Sequence, residues 1–283
     1  MVLAIMYLIS WKKKNISVKM LVKAVIAQFL IAVILVKVPA GRYVVPKVSD
    51  AVTSVINCGQ DGLSFVFGSL ADSTAAAGSV FAIQVLGNIV FLSALVSFLY
   101  YIGILGFVVK WIGKAVGKLM GTSEVESIVA VANMFLGQTD SPMPVAMVAL
   151  VAAVNKLLGV CGISLQQVFS YVFAPFGFFL GLDPSEILLE GNLLGSKLVL
   201  NEFVAFQQLG GMISSMDYRT GMIFAISLCG FANFSSLGIC VSGIAVLCPE
   251  KKSTLARLVF KAMLGGVAVS LISAMTVGLV TLC

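Results

Sequence analysis

The sequence is poor in charged residues along its whole length. Only 11% of its 283 residues are charged, 60% are hydrophobic, and the mean hydropathy is +1.09. A soluble domain usually carries about a quarter of its residues as Asp, Glu, Lys or Arg. Because the shortage is general rather than confined to one segment, we expect the outer surface to face lipid. The chain is therefore predicted to be an all-α integral membrane protein.

Histidine is absent, which excludes His-based metal sites, Ser-His-Asp triads and His proton relays. The six cysteines include no C-x-x-C pair, so neither a zinc site nor a disulfide framework is indicated. Most of them lie in apolar segments, where we predict buried free thiols. The sequence also shows no nucleophile with an oriented base, no paired acids and no cluster of metal ligands at one depth. We therefore expect neither enzymatic activity nor a cofactor.

The net charge of +6 comes from short basic clusters between apolar runs, at residues 11–23, 110–118 and 251–257. Short loops rich in Lys and Arg mark the cytoplasmic side of a membrane protein. The basic charge thus predicts the orientation of the chain rather than a nucleic-acid partner. With all three clusters inside, the N-terminus is predicted to lie outside.

Apolar runs at residues 20–38, 81–109 and 259–283 are long enough to cross a bilayer. Residues 1–9 predict the end of a first helix that is too short to span alone. In the last span, three glycines predict close helix packing: Gly265, Gly266 and Gly278.

Other segments predict structure at the membrane surface. Residues 42–72 contain Pro and several Gly, which indicates a loop followed by an interfacial helix. The lysines of residues 110–121 are four apart, as in an amphipathic interfacial helix. Residues 249–257 predict a basic loop.

A polar break follows a short apolar segment in the middle of the chain. Thr122-Ser123-Glu124 predicts a helix start, and the apolar residues 125–136 are only about half a membrane long. The next residues, 137–144, are polar and helix-breaking, and residues 145–160 are apolar again. Half-length helices around a polar break build substrate sites at membrane depth. Gly137, Gln138, Thr139 and Asp140 are therefore candidate binding residues; the alternative is an ordinary surface loop.

The C-terminal part repeats this pattern. Residues 187–206 are too polar for a lipid-facing helix and predict a re-entrant hairpin. Glu202 is a functional candidate because a carboxylate at membrane depth is costly; the alternative is a buried salt bridge to Lys197. Glu190 is a similar candidate, unless it lies nearer the surface.

A second break interrupts the apolar residues 222–247 at residues 230–236. Phe231 can stack on a flat ligand, Asn233 presents a two-sided amide, and Ser236 offers a hydroxyl. These groups suit a sugar joined to a base. The alternative is a helix kinked by its serines.

These segments carry a family resemblance. Two runs match especially closely: GNLLGSKLVLNEFVAFQQL (residues 191–209) and SLCGFANFSSLGICVSGIAVLCPEKKSTLARL (residues 227–258). VPAGR, FVFGSLAD, FLSALVSFLYYIGIL and MGTSEVESIVAVANMFLGQTD, which start at residues 38, 65, 91 and 120, match as well. The chain resembles the bacterial branch of the concentrative nucleoside transporters over nearly its whole length.

The resemblance implies a multi-span helical bundle with re-entrant hairpins and broken helices. It implies nucleobase contacts from Gln138 and Thr139, and ribose contacts from Asp140, Glu202, Asn233 and Ser236. Phe231 would pack beside the ligand, and Asn133 would supply an oxygen to a sodium site. It further implies a homotrimer in the bacterial inner membrane, which imports nucleosides such as uridine together with Na⁺ or H⁺.

One departure from the family pattern concerns the middle of the chain. Family members continue after the first hairpin tip with a second arm and two spanning helices, whereas here Ser141-Pro142 is followed almost at once by a segment resembling a later helix. The sequence is therefore divided into scaffold helices (1–121), an incomplete core segment (122–160) and a C-terminal transport-core half (161–283). Two readings follow: a nucleoside symporter, or an internally deleted variant that inserts without transporting.

Overall fold

A computed structural model of the chain describes residues 2–11, 13–71, 81–136, 152–160 and 162–282. These residues form helices and turns and contain no strand, which confirms the all-α prediction. By their contacts they divide into two compact units, residues 19–24 with 37–137, and residues 1–18 with 25–36 and 138–283. The functional division at residues 121 and 160 remains a prediction.

The first two helices are α1 (Val2–Ile9) and α2 (Val18–Val36). Helix α2 is long and apolar enough to cross a membrane, as predicted for residues 20–38. Four further helices follow in the unit that contains residues 37–137: α3 (Pro39–Phe67), α4 (Phe81–Tyr101), α5 (Ile104–Met120) and α6 (Glu124–Leu136).

Helix α3 corrects the prediction of a loop within residues 42–72. It is one helix of 29 residues that begins at Pro39 and includes Pro46. Proline is well accommodated at the first position of a helix, where no amide hydrogen bond is needed. Gly59 does not break the helix, because it is a packing position: a Cβ there would meet the ring of Phe91 on α4 at 2.7 Å.

The predicted span at residues 81–109 is also wrong in its second half. The chain bends by 79° between α4 and α5, and Gly103 at the bend has φ +82°. Helix α5 then begins six residues before the predicted start of the interfacial helix. Its lysines, Lys110, Lys114 and Lys118, are exposed on one face, whereas Val109 and Gly117 are buried on the other. The amphipathic prediction is confirmed.

Helix α6 begins where the sequence predicted. The Ser123 hydroxyl accepts a hydrogen bond from the Glu126 amide (3.2 Å), and a Glu126 carboxylate oxygen accepts one from the Ser123 amide (3.1 Å). This reciprocal pair satisfies two amides at the helix start. The helix ends at Leu136, so it has the half-membrane length that the sequence indicated.

The other unit contains a helical segment at residues 152–159, here α7. It is followed by α8 (Leu165–Leu180), α9 (Pro184–Val199), α10 (Glu202–Gly210), α11 (Tyr218–Leu228), α12 (Phe234–Leu247) and α13 (Lys252–Leu282). Helices α8 and α9 form a tight antiparallel hairpin that turns at residues 181–183. A Cβ on Gly195 would meet the Cβ of Phe169 at 2.7 Å, so the two helices approach closely only because Gly stands there.

The core of this unit lies between α9, α11 and α13. Leu193, Phe224 and Leu271 are almost completely buried at its centre. Helix α13 confirms the last predicted span, but it begins at Lys252, so the predicted basic loop at 249–257 is mostly helical. Gly266 and Gly278 pack closely, as predicted: Cβ atoms there would meet the Ala232 Cβ at 2.8 Å and the Leu180 carbonyl oxygen at 3.0 Å.

The cysteine prediction is only partly right. Four thiols in the described part of the chain are free: Cys58, Cys229, Cys240 and Cys248. Cys58 and Cys229 are exposed rather than buried. Cys58 lies within α3, and Cys229 lies in the break between α11 and α12.

Candidate functional site

The first break lies between α9 and α10. Leu200 has φ −96° and ψ −89°, and Asn201 is extended with its side chain accepting a hydrogen bond from the Val204 amide (2.9 Å). Asn201 thereby caps α10, and Glu202 lies in the first turn of that helix. Residues 187–206, predicted as a re-entrant hairpin, belong to two helices in contact, α9 and α10, which this break joins.

The second break lies between α11 and α12, where the sequence predicted it. Helix α11 ends at Leu228, Gly230 has φ +97°, and Asn233 is the extended N-cap of α12. The Asn233 side chain accepts a hydrogen bond from the Ser236 amide at 2.8 Å. The positive φ at Gly230 explains why Gly stands in this break.

Two hydrogen bonds join the two breaks. In one of them, the Ser235 hydroxyl donates to the Leu200 carbonyl oxygen at 3.3 Å. In the other, the Asn233 amide nitrogen donates to a carboxylate oxygen of Glu202 at 2.9 Å. The Asn233 oxygen also accepts from the Ser236 hydroxyl at 2.7 Å, and that hydroxyl lies within bonding distance of the Phe231 carbonyl oxygen as well. The starts of α10 and α12 therefore meet at a carboxylate–amide pair.

The predicted site residues differ in how far their side chains are exposed to a ligand. Asn233 and Ser236 are only 3% and 5% exposed, so they chiefly hold the site together. Phe231 is 41% exposed, and Glu202 is half-buried. A ligand at this site would thus meet an aromatic ring and a carboxylate whose geometry is fixed by a buried amide. The structure brings together Glu202, Asn233, Ser236 and the backbone of Phe231.

Lys197 is buried behind the second break. Its ammonium group donates to the carbonyl oxygens of Ser227 and Cys229, both at 2.9 Å, and to the Ser270 hydroxyl at 3.2 Å. An ammonium has three hydrogens, and these contacts use all of them. The contact that holds Lys197 is therefore the carboxyl end of α11, not the Lys197–Glu202 bridge considered from the sequence.

This role of Lys197 was missed in the sequence, although a lysine in an apolar helix was itself a signal. The carbonyl groups at the end of a helix carry partial negative charge, which favours a cation there. The Ser270 hydroxyl also donates to the Cys229 carbonyl oxygen, at 2.6 Å. Lys197 and Ser270 thus fix the backbone just before Phe231.

Glu190 does not lie near the surface. It is fully buried in α9, at 0% exposure. It is therefore not a residue that a ligand at the two breaks would meet directly.

The remaining candidates are not tested by the structure. Gly137, Gln138, Thr139 and Asp140 lie outside the described residues. Asn133, the predicted sodium ligand, is part of α6, but its side chain is not described. The described residues contain no group of three or more Cys, Asp or Glu that could hold a metal ion.

Two family models match the chain. The model of the Na⁺-dependent nucleoside transporter N-terminus matches residues 1–70, and that of the C-terminus matches residues 141–278, which include both breaks. The chain belongs to the concentrative nucleoside transporter family. Membership makes it a multi-pass membrane protein of a transporter family, not an enzyme.

Individual family members agree with this assignment. A nucleoside permease of Helicobacter pylori, NupC, is 26% identical, with 98% of this chain and 96% of the relative covered. An uncharacterized transporter of Haemophilus influenzae is 29% identical, with 98% and 95% covered. A solved structure of a CNTnw variant in an outward-facing state shares the fold, with a TM-score of 0.89 at 25% identity; 99% of this chain and 96% of that chain are covered.

The alignment lengths show whether relatives contain internal segments that this chain lacks. The alignment with the Haemophilus transporter has 395 positions, against the 283 residues of this chain, so at least 112 positions have no residue here. Yet the alignment covers nearly all of both proteins. The family members therefore contain internal segments that this chain lacks, as the sequence predicted.

Proposed function

We propose that this chain binds nucleosides where the starts of α10 and α12 meet, and that it imports them together with Na⁺ or H⁺. The observation that carries the proposal is the hydrogen bond between Asn233 and Glu202, which joins the two helix breaks. Family membership supports the same substrate class. Broken helices meeting at a polar pair are the usual form of a substrate site within a membrane.

The chemistry of the site suits a nucleoside. The Glu202 carboxylate can accept hydrogen bonds from two neighbouring ribose hydroxyls, and the exposed ring of Phe231 can pack against the ligand. Asn233 holds the carboxylate in place and presents its amide beside it. Gln138 and Thr139 are proposed as nucleobase contacts, and Gly137 with Asp140 would complete the polar tip on the ribose side.

Further parts of the proposal follow from family membership. Asn133 would contribute to a sodium site, and the protein would act as a homotrimer in the bacterial inner membrane. Transport would proceed by movement of one part of the protein against a scaffold, without any covalent step.

A second candidate is a chain that binds nucleosides without transporting them. The observation that favours it is the set of at least 112 alignment positions at which this chain has no residue. The elements of the site at α9 to α12 are intact, whereas internal segments found in relatives are absent. This candidate predicts binding with no accumulation.

Uridine binding and uptake by the reconstituted protein separate the candidates. Calorimetry measures binding, and vesicles with an imposed Na⁺ or H⁺ gradient measure accumulation. Transport predicts accumulation under at least one gradient; binding without accumulation supports the deleted variant. Absence of both would overturn the nucleoside site.

The Glu202→Gln variant tests the site itself. Hydrogen bonds to a charged group contribute about 1.5–3 kcal/mol each, so we expect uridine binding to weaken by about 10- to 100-fold. Glu250→Gln is the matched control, because Glu250 is exposed in the turn before α13. Equal affinities of the two variants would exclude Glu202 as a ligand contact.

A further inference from the structure

Glu190 is an acidic residue buried within α9. The residue is 0% exposed, and neither of its carboxyl oxygens has a partner among the described residues. An ionised carboxylate in such a place loses its hydration and gains nothing in return, which is strongly unfavourable. A neutral, protonated carboxyl is much less costly there.

The two donor groups that act on Glu190, on Lys197 and Ser227, already donate their hydrogens elsewhere. The three hydrogens of Lys197 are directed to Ser227, Cys229 and Ser270. The Ser227 hydroxyl faces the Glu190 carboxyl but donates its hydrogen to the Phe224 carbonyl oxygen at 2.8 Å. Its oxygen keeps a lone pair, so it can accept a hydrogen bond but has none to give. The surroundings therefore match the protonated form of Glu190.

The other ionisable groups on neighbouring helices do not change this balance. Helix α9 packs against α8, α10, α11 and α12. The ionisable side chains on these five helices, besides Glu190 and Lys197, are Tyr171, Glu186, Glu202, Tyr218, Arg219 and Cys240. Lys197 is the one whose charge acts on Glu190; it favours the carboxylate, but the loss of hydration on burial is the larger effect. Glu186 accepts a hydrogen bond from Thr220 at 3.1 Å, and Arg219 donates to Gly181 at 2.8 Å, so both are engaged elsewhere.

We propose that Glu190 is a proton-binding site, occupied in this conformation, and that loss of its proton draws Lys197 away from the end of α11. The O–H bond of Glu190 breaks and the proton passes to bulk water when the site opens. Lys197 stays protonated and forms an ion pair with the new carboxylate. The carbonyl oxygens of Ser227 and Cys229 then lose their donor.

This exchange would act on the nucleoside site through the backbone. Lys197 and Ser270 hold Cys229, which lies two residues before Phe231 and four before Asn233. A change in the position of Lys197 is thereby transmitted to the second break. The link between proton and nucleoside rests on the proposed function, whereas the proton site itself does not.

Thermal unfolding of the detergent-solubilised protein as a function of pH tests the proton site without any nucleoside. In the unfolded chain Glu190 ionises above about pH 4.3, whereas the folded protein keeps the proton. The folded state therefore binds more protons, and its stability falls as the pH rises. Relative to the Glu190→Gln variant, we expect the Tm of the wild type to fall by about 4 °C or more between about pH 5 and pH 9. The variant should lack this part of the dependence of Tm on pH.

Two further variants make the result decisive. Glu190→Met keeps the side-chain volume without an ionisable group and should lose the same part of the slope as Glu190→Gln, while the exposed control Glu250→Gln should keep it. Infrared spectra of the wild-type protein at neutral pH should show the carbonyl band of a protonated carboxylic acid, and that band should vanish in Glu190→Gln. An unchanged pH slope in both Glu190 variants, or an unchanged band, would overturn the proposal.

A separate experiment with uridine tests whether the Glu190 proton affects nucleoside binding. Uridine affinity measured across the same pH range should depend on pH in the wild type, and Glu190→Gln should abolish this dependence while still binding. If uridine does not bind at any pH, the proposed function fails, but the unfolding and infrared results still decide the proton site. If uridine binds with the same pH dependence in both proteins, the linkage fails.

Discussion

Replacing Lys197 by Met tests how strongly the end of α11 depends on one buried ammonium. Met has nearly the same length and fills the same space, so the change removes the charge and the donors with little change in packing. In the described structure the ammonium serves the carbonyl oxygens of Ser227 and Cys229 and the Ser270 hydroxyl. Each contact is lost in the variant.

The expected loss of stability follows from the hydrogen bonds that remain in the Lys197→Met variant. The Cys229 carbonyl oxygen keeps the Ser270 hydroxyl as a donor at 2.6 Å, but the Ser227 carbonyl oxygen loses Lys197. An unsatisfied buried acceptor costs about 1–3 kcal/mol, and hydrogen bonds from a charged donor are lost in addition. Removal of the buried charge stabilises the fold and offsets part of this loss. We expect a net loss of about 2–4 kcal/mol, or roughly 4–16 °C in Tm for a protein of this size.

Thermal unfolding followed by tryptophan fluorescence in detergent measures the effect. Lys252→Met is the matched control, because Lys252 is exposed at the start of α13 and its loss should change stability by less than about 0.5 kcal/mol. If Lys197→Met unfolds at the same temperature as Lys252→Met, the ammonium does not hold the end of α11 and the argument is refuted. A double variant with Ser270→Ala should be non-additive by about 0.5–3 kcal/mol, because the two side chains share a partner.

Three further predictions concern packing, capping and pH. Gly191→Ala should destabilise the α8–α9 hairpin by about 1–3 kcal/mol, since its Cβ would collide with the backbone of α8, whereas Gly210→Ala, with open space around it, should be neutral or slightly stabilising in thermal unfolding. Asn233→Ala should cost about 0.5–2 kcal/mol as a lost N-cap and should also weaken uridine binding; a variant that unfolds earlier yet binds normally would limit Asn233 to the capping role. Hydrogen bonds from Thr220 lower the pKa of Asp217, so its stabilising effect should be present at neutral pH and lost as the pH falls through the lowered value; an Asp217→Ala variant with the same acid-side slope as the wild type would contradict this.

Local patterns predicted the helix breaks well. The start of α6 followed from Thr122, Ser123 and Glu124, because a capping hydroxyl and an acid near the first turn are local signals. The break before α12 followed from Gly230 and Asn233, since both residue types favour the backbone that ends one helix and starts the next. Such preferences are properties of a few neighbouring residues and need no tertiary information.

Local patterns failed where packing overrides them. Pro46 and the glycines of residues 42–72 predicted a loop, but most of these residues lie in one helix, α3. Pro39 is at the first position of that helix, and Gly59 lets the ring of Phe91 approach. The span predicted at residues 81–109 lacked any charged residue to mark its end, yet it bends at Gly103. Neither the approach of a neighbouring helix nor a bend within an apolar run is encoded by hydropathy.

By itself, the sequence determined that this protein is helical, lies in a membrane and carries polar groups at two breaks near its C-terminal end. Composition and short motifs suffice for these conclusions, because lipid exposure and helix capping are local requirements. Only the tertiary structure decided which polar groups meet. Glu202 accepts a hydrogen bond from Asn233, Lys197 donates to the end of α11, and Glu190 has no donor within the described part of the chain. Contacts between residues about 30 positions apart depend on how the helices pack.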